Sequence, residues 1–242
     1  STVWGIDDGL SYPYLLNVEQ IPHAQPGFVP NTPENLSPEN AVWVSTNTPT
    51  FEAWISDNNT GDNVTGKLVL DGSEYDMGSV IDNGTVSFTP GSPLADGSYL
   101  WHVYSLDQGG LRSENSLEYK IKVDNTVPDI VGVDAGKSSS DRTSLTSDNW
   151  FNNSDTGSDG EISFTWIDPN SLSDDNFYYE MNSSSGETIT GDENVTSENW
   201  VDSVQLSEGV SYFHVKPKNG AGTWGTERVF VVKYDDTSPS VN

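Results

Sequence analysis

No cysteine occurs among the 242 residues of this chain. That excludes disulfide frameworks, thiolate metal sites and cysteine nucleophiles. It also fits a prokaryotic surface protein better than a eukaryotic ectodomain. Positive charge is scarce as well. Ten Lys and Arg stand against 37 Asp and Glu, the formal charge is −27, and no Lys or Arg precedes Lys67. Such a field repels phosphate backbones and argues against nucleic acid as a partner. It attracts divalent cations and keeps a repetitive surface protein soluble. No membrane-inserted segment and no signal peptide is present, and the first residue is Ser1, so the chain reads as a processed or excised fragment. Leu, Ile, Val and Phe make up only 22% of it, near the level at which a charged chain stays unfolded. Eight Trp, ten Tyr and a clear apolar alternation place it among folded β proteins.

What the chain does have is an internal repeat. Leu94-Ala95-Asp96-Gly97-Ser98-Tyr99-Leu100-Trp101-His102-Val103 returns 112 positions later as Leu206-Ser207-Glu208-Gly209-Val210-Ser211-Tyr212-Phe213-His214-Val215. Gly110 matches Gly222 at the same offset, and Trp54 matches Trp166. Val123-Asp124-Asn125-Thr126-Val127-Pro128 matches Tyr234-Asp235-Asp236-Thr237-Ser238-Pro239 one deletion later. A period of this size marks tandem domains. The expected organisation is a tail over residues 1–24, a Pro-rich extended linker over 25–40, sandwiches over 41–127 and 128–239, and the start of a further module at 240–242.

Short apolar runs broken by Gly, Asn, Asp and Pro predict strands over 41–44, 50–55, 67–70, 77–81, 85–88, 99–106 and 117–123. In the second repeat they predict strands over 130–133, 161–167, 177–181, 201–206, 212–217 and 228–234. Asn83-Gly84 between Val80-Ile81 and Val86-Ser87-Phe88 predicts a type I′ hairpin. Leu94, Gly97 and Tyr99 are spaced for a corner tyrosine. The polar stretch 134–160 is long for a loop, and Trp150 and Phe151 are expected to pin it.

Leu-X-X-Gly-X-X-Tyr-Phe-His-Val at 206–215, Lys218-Asn219-Gly220-Ala221-Gly222-Thr223-Trp224-Gly225 and the Asp-X-Thr-X-Pro closing motif resemble prokaryotic fibronectin type III or bacterial Ig-like modules. The resemblance covers residues 41–239. It implies an all-β fold of two tandem immunoglobulin-like sandwiches in a large surface protein, in a spacer, stalk or adhesive role. It brings no family active site. Repeat 1 departs from it with Gly109-Gly110-Leu111-Arg112. Separately, Trp4-Gly5-Ile6-Asp7, Gly9 and Tyr12-Pro13-Tyr14-Leu15 resemble the end of a GLUG-type haemagglutinin-like β-solenoid. The apolar residues of this tail are expected to pack on the first sandwich or on a neighbouring molecule.

Candidate chemistry is sparse. His102 and His214 alternate with core positions and are expected to face solvent. No Gly-X-Ser-X-Gly elbow or zinc pattern occurs. Adjacent acids are expected by chance in so acidic a chain, so no catalysis is expected. Calcium is the stronger candidate, because Asp and Asn gather in loops as hard oxygen donors. The candidate ligands are Asp57 and Asp62; Asp155 and Asp159; and Asp124, Asn125, Asp129 and Asp134 at the junction. The same residues are also ordinary turn formers. Sequons begin at Asn35, Asn58, Asn63, Asn83, Asn152, Asn182 and Asn194, glycosylation acceptors where the host glycosylates. Trp150, Trp200 and Trp224 lie by loops where they could stack on sugars or anchor the loops. The expected partners are neighbouring modules, copies of the same protein or surface glycans. Two alternatives stand beside the spacer: a filament or surface-layer subunit joined by strand addition through the tail, and a carbohydrate-binding portion of a secreted hydrolase.

Overall fold

The computed structural model describes residues 28–137, 145–152, 154–156, 160–169 and 175–237, with the backbone alone at Trp4–Gly5 and Tyr14–Leu15. Every named element among them is a strand. The two short strands β1 (Trp4–Gly5) and β2 (Tyr14–Leu15) pair antiparallel. The other tail residues, Pro22 and His23 among them, and Pro26 of the linker lie outside the described residues.

The first repeat supplies β3 (Glu34–Ser37), β4 (Val42–Val44), β5 (Phe51–Ser56), β6 (Asn63–Leu70), β7 (Ser73–Ile81), β8 (Asn83–Phe88), β9 (Gly97–Leu106) and β10 (Tyr119–Val123). The second supplies β11 (Val131–Gly136), β12 (Trp150–Phe151), β13 (Glu161–Ile167), β14 (Asn176–Asn182), β15 (Asn194–Thr196), β16 (Trp200–Gln205), β17 (Gly209–Lys218) and β18 (Arg228–Tyr234). Sheet orders β3-β5-β8 and β4-β10-β9-β6-β7 recur as β11-β13-β16 and β12-β18-β17-β14-β15. In each repeat the short second strand lies at a sheet edge and runs parallel to the last strand, β4 with β10 and β12 with β18. The fold is therefore all-β, with the same pair of sheets built twice.

By compactness the chain forms two units, and their division falls inside β9. One holds Ser1–Ser37, Phe51–Phe88 and Trp101–Glu118; the other holds Pro38–Thr50, Thr89–Leu100 and Tyr119–Asn242. In the first unit β5 alternates buried and exposed, so Phe51, Ala53 and Ile55 point inward. Phe51 meets Trp101 of β9 edge to face, with centroids 5.0 Å apart. Such a pair adds about 0.5–1.5 kcal/mol beyond the area it buries. In the second unit Phe164 of β13 stacks on Phe213 of β17 at 3.8 Å, inside a core that also takes Ile162, Trp166, Phe177 and Phe230.

Four expectations change. Asn83-Gly84 is not a hairpin turn. β7 pairs with β6, whereas β8 pairs with β5, placing Asn83 opposite Ser56 and Gly84 opposite Ile55. Asp82 alone, at φ 63°, takes the chain from one sheet to the other. A Cβ on Gly84 would lie 2.9 Å from Val80 Cγ1, so close approach explains the glycine. Secondly, Glu34–Ser37 lies inside the stretch read as linker, yet it pairs with β5 as a sheet edge.

Thirdly, Trp54 and Trp166 are not equivalent. Trp54 is 38% exposed and Trp166 3%, because β5 buries positions 51, 53 and 55 whereas β13 buries 162, 164 and 166. The matched core rings are Phe51 and Phe164, one residue off the 112 offset, and a one-residue slip exchanges the faces of a strand. The offset does hold in β9 and β17: Trp101 and Phe213, and Val103 and Val215, are all fully buried.

Lastly, His214 is fully buried. The outer face of β17 is covered: Glu227 Oε1 lies 2.6 Å from His214 Nδ1, and Ser184 O lies 3.1 Å from Nε2. His102 is half-buried. Two further readings agree with the structure. Tyr99 donates its hydroxyl to Ala95 O at 2.8 Å, the expected corner. Phe151 is buried beside β18 and pins the long polar stretch, whereas Trp150 is 60% exposed.

Candidate metal centre

Strand register builds one acidic site in the first unit. β9 pairs with β6 so that Leu106 lies opposite Thr65, which sets Asp107 beside the start of β6. Asp57 and Asp62 bound the loop from β5 to β6. Asp82 ties that loop together through its backbone: Asp57 N donates to Asp82 O at 2.8 Å, and Asp82 N donates to Asp62 O at 2.9 Å. Gly61 N also donates to Asp82 Oδ1. Carboxylate oxygens of Asp57, Asp62 and Asp107, one from each, all lie within 4.8 Å of one another. Among the described residues this is the one acid or histidine group of three or more at metal-ligating reach.

Burial makes the site unusual. Asp57 is 8% exposed, Asp107 7% and Asn59 3%. Asp57 Oδ1 accepts from Asn59 N at 2.9 Å, and Asn59 Nδ2 donates to Asp62 Oδ2 at 3.0 Å. Asp57 Oδ2 and Asn59 Oδ1 are buried acceptors with no hydrogen-bond donor. None of the three aspartates forms an ion pair with Lys, Arg or His. Like charges drawn out of water without a partner are costly.

Asp107 is held by its own turn. Asp107 N donates to Leu111 O at 3.0 Å, Leu111 N to Asp107 Oδ1 at 2.6 Å, and Gly110 N to Asp107 O at 3.1 Å. Gly110 has φ 85°, which L side chains avoid. The second repeat forms the same turn around Asn219, with Gly222 at φ 88°. Asn219 Nδ2 donates to Thr126 O at 3.0 Å. Asp107 carried no signal in the sequence as a ligand, because it lies far along the chain from the loop it joins; only its match to Asn219 marked the turn.

The other predicted ligands are placed apart. Asp124 is 2% exposed; burial raises its carboxyl above the usual aspartate range, and the nearby Asp96 charge adds to this. Asn125 is exposed and donates its N–H to Asp96 Oδ1 at 2.8 Å, and Thr126 Oγ1 donates to Asp96 Oδ2. Asp129 pairs with Arg228 at 3.2 Å, and Asp134 is exposed on β11. Asp155 accepts from Asn152 N at 3.1 Å within a tight turn. Asp159 lies outside the described residues. Among the sequons, Asn35, Asn58, Asn63, Asn83, Asn152 and Asn194 are exposed and Asn182 is half-buried. Trp224 packs against Tyr178 at 4.8 Å, with Lys218 Nζ 4.7 Å from its ring.

No protein-family model matches the chain, and neither does any curated protein. Among solved structures it is similar to the fibronectin(III)-like modules of Clostridium thermocellum CbhA, at 14% identity and TM-score 0.39, covering 83% of this chain and 94% of that one. It is also similar to a 1.5-MDa bacterial ice-binding adhesin, at 14% identity and TM-score 0.38, covering 86% and 64%. A third is dimeric latent PorU from Porphyromonas gingivalis, at 16% identity and TM-score 0.30, covering 84% and 20%. Likenesses this distant say nothing of activity or ligand.

Proposed function

We propose that the chain is a non-catalytic spacer or adhesive segment of a large extracellular, prokaryotic surface protein, with 34–127 and 128–239 as successive modules. The observation that carries this reading is the repeated parallel edge, β4 beside β10 and β12 beside β18. In each repeat the second strand lies next to the strand where the chain leaves, pointing the same way. Once the strand before it has detached, tension along the chain slides the two past each other and loads all their hydrogen bonds at once. A hairpin pulled at its open end breaks its bonds one by one. A formal charge of −27 keeps such an array soluble and apart from its neighbours. The exposed sequons suit a glycosylated surface.

Sedimentation of the intact chain, together with binding to a glycan array, separates this reading from its rivals. The spacer stays monomeric at high concentration and binds no glycan. Concentration-dependent polymers lost on deleting residues 1–24 would make it a filament subunit joined by strand addition. Glycan binding abolished by Trp150→Ala, the most exposed of the loop tryptophans, would make it a carbohydrate-binding module.

A further inference from the structure

The acidic site of the first unit has the makings of a cation site. Its three carboxylates carry no positive partner, and two of them are more than nine-tenths buried. Asn59, at 3% exposure, adds a point of its own. Its amide nitrogen is committed to Asp62, which leaves its buried oxygen beside the same carboxylates with nothing to accept from. Asp57 Oδ2 is in the same state. Three carboxylates and a spare amide oxygen, with no cationic side chain among them, match a positive ion.

We infer that Asp57, Asn59, Asp62 and Asp107 hold one Ca²⁺. All four are hard oxygen donors, the kind Ca²⁺ collects six to eight of, with water completing the set. Softer metals prefer the thiolate and imidazole ligands that are missing here. The carboxylate oxygens all lie within 4.8 Å of one another, close enough for one ion to reach all three. Mg²⁺ demands a near-ideal octahedron and keeps several waters, whereas Ca²⁺ accepts an irregular set of protein oxygens such as this one. The ion ties the β5–β6 loop to the turn after β9, so the folded state gains whatever affinity the site has. The site does not depend on the spacer reading, and failure of either leaves the other standing.

The second repeat provides the control. Asn219 holds the turn that Asp107 holds, accepting from Thr223 N at 2.8 Å through its side-chain oxygen. Asp107→Asn therefore keeps the turn and removes one ligand charge. The test is calorimetric titration of the chelator-stripped full chain with CaCl₂, alongside melting curves. We expect one saturable site per chain and a melting temperature raised by about 5 °C or more in millimolar Ca²⁺, reversed by chelator. Asp107→Asn is expected to melt at least as high as the unmodified chain in chelator, and to bind Ca²⁺ at least about tenfold more weakly. Should it fail to fold, Asp62→Asn takes its place, since an amide oxygen still accepts from Asn59. Asp124→Asn is expected to leave the titration unchanged. The assignment is overturned if no saturable binding appears, if the Asp107 or Asp62 variant binds as tightly as the unmodified chain, or if Mg²⁺ at equal ionic strength stabilises as much as Ca²⁺.

Discussion

Asp107 and Asn219 close the same turn 112 positions apart and differ in one charge. Around Asn219 the side-chain nitrogen donates to Thr126 O, and the turn is satisfied within its own neighbourhood. Around Asp107 there is no such donor, and the carboxylate faces two more. One fold thus carries a neutral turn in one copy and an acidic site in the other.

The opposite faces of Trp54 and Trp166 predict unequal costs. Trp166→Ala removes a buried ring and should cost about 3–5 kcal/mol. Trp54→Ala removes a ring already 38% exposed and should cost about 1 kcal/mol. Urea denaturation of both variants checks this. Equal costs would mean that the 112 offset holds along β5 after all.

Acid stability should depend on Glu193. Burial disfavours its charge, but N–H groups of Thr190 and Gly191 and the Thr190 hydroxyl outweigh it and bring the carboxyl from 4.5 down to about 2. A lowered folded value means stability that is present above pH 4.5 and lost as the pH falls toward about 2. Glu193→Gln should flatten that part of a melting-temperature profile, and an unchanged slope would count against it.

Asp124 works in the other direction. Its raised folded value favours the protonated form, so its contribution is present at low pH and declines as the pH rises through that value. Asp124→Asn should remove this decline and melt no lower than the unmodified chain at pH 7. A large loss at pH 7 would show instead that the ionised carboxylate is needed.

Glu227 holds two groups at once, His214 Nδ1 and Ile189 N. Glu227→Ala leaves both without that partner and should cost about 1–3 kcal/mol. Hydrogen exchange should show the Ile189 amide losing protection while the Phe213 amide keeps most of its own. Uniform loss across β17 would point to a damaged core.

Much of this architecture could be read from the residues. The strands over Glu161–Ile167 and Arg228–Tyr234 fall where apolar alternation put them. The match of Trp101-His102-Val103 with Phe213-His214-Val215 located the duplicated core strand. Local signals failed where tertiary pairing decided. Asn83-Gly84 has turn chemistry, but β8 is claimed by β5. Glu34–Ser37 has no strand pattern, and an edge strand with little to bury needs none. His214 looked exposed by alternation because a strand's period does not show that a loop covers its second face. At the acidic site, Asp57 and Asp62 were legible as a pair of loop acids. Asp107 and the unpaired oxygen of Asn59 depend on register and burial, which spacing alone does not reveal.

The central claim is that two like modules carry tension through the parallel pairs β4–β10 and β12–β18. Stretching single intact molecules by their ends tests it most directly. The account predicts two separate unfolding events, releasing about 300 Å of chain for the first module (roughly 90 residues) and about 380 Å for the second (roughly 110), at about 3.4 Å per residue. Val42→Pro, which disrupts the β4–β10 pairing, should lower the force of one event only. A single event, or two events at forces untouched by that substitution, would contradict it.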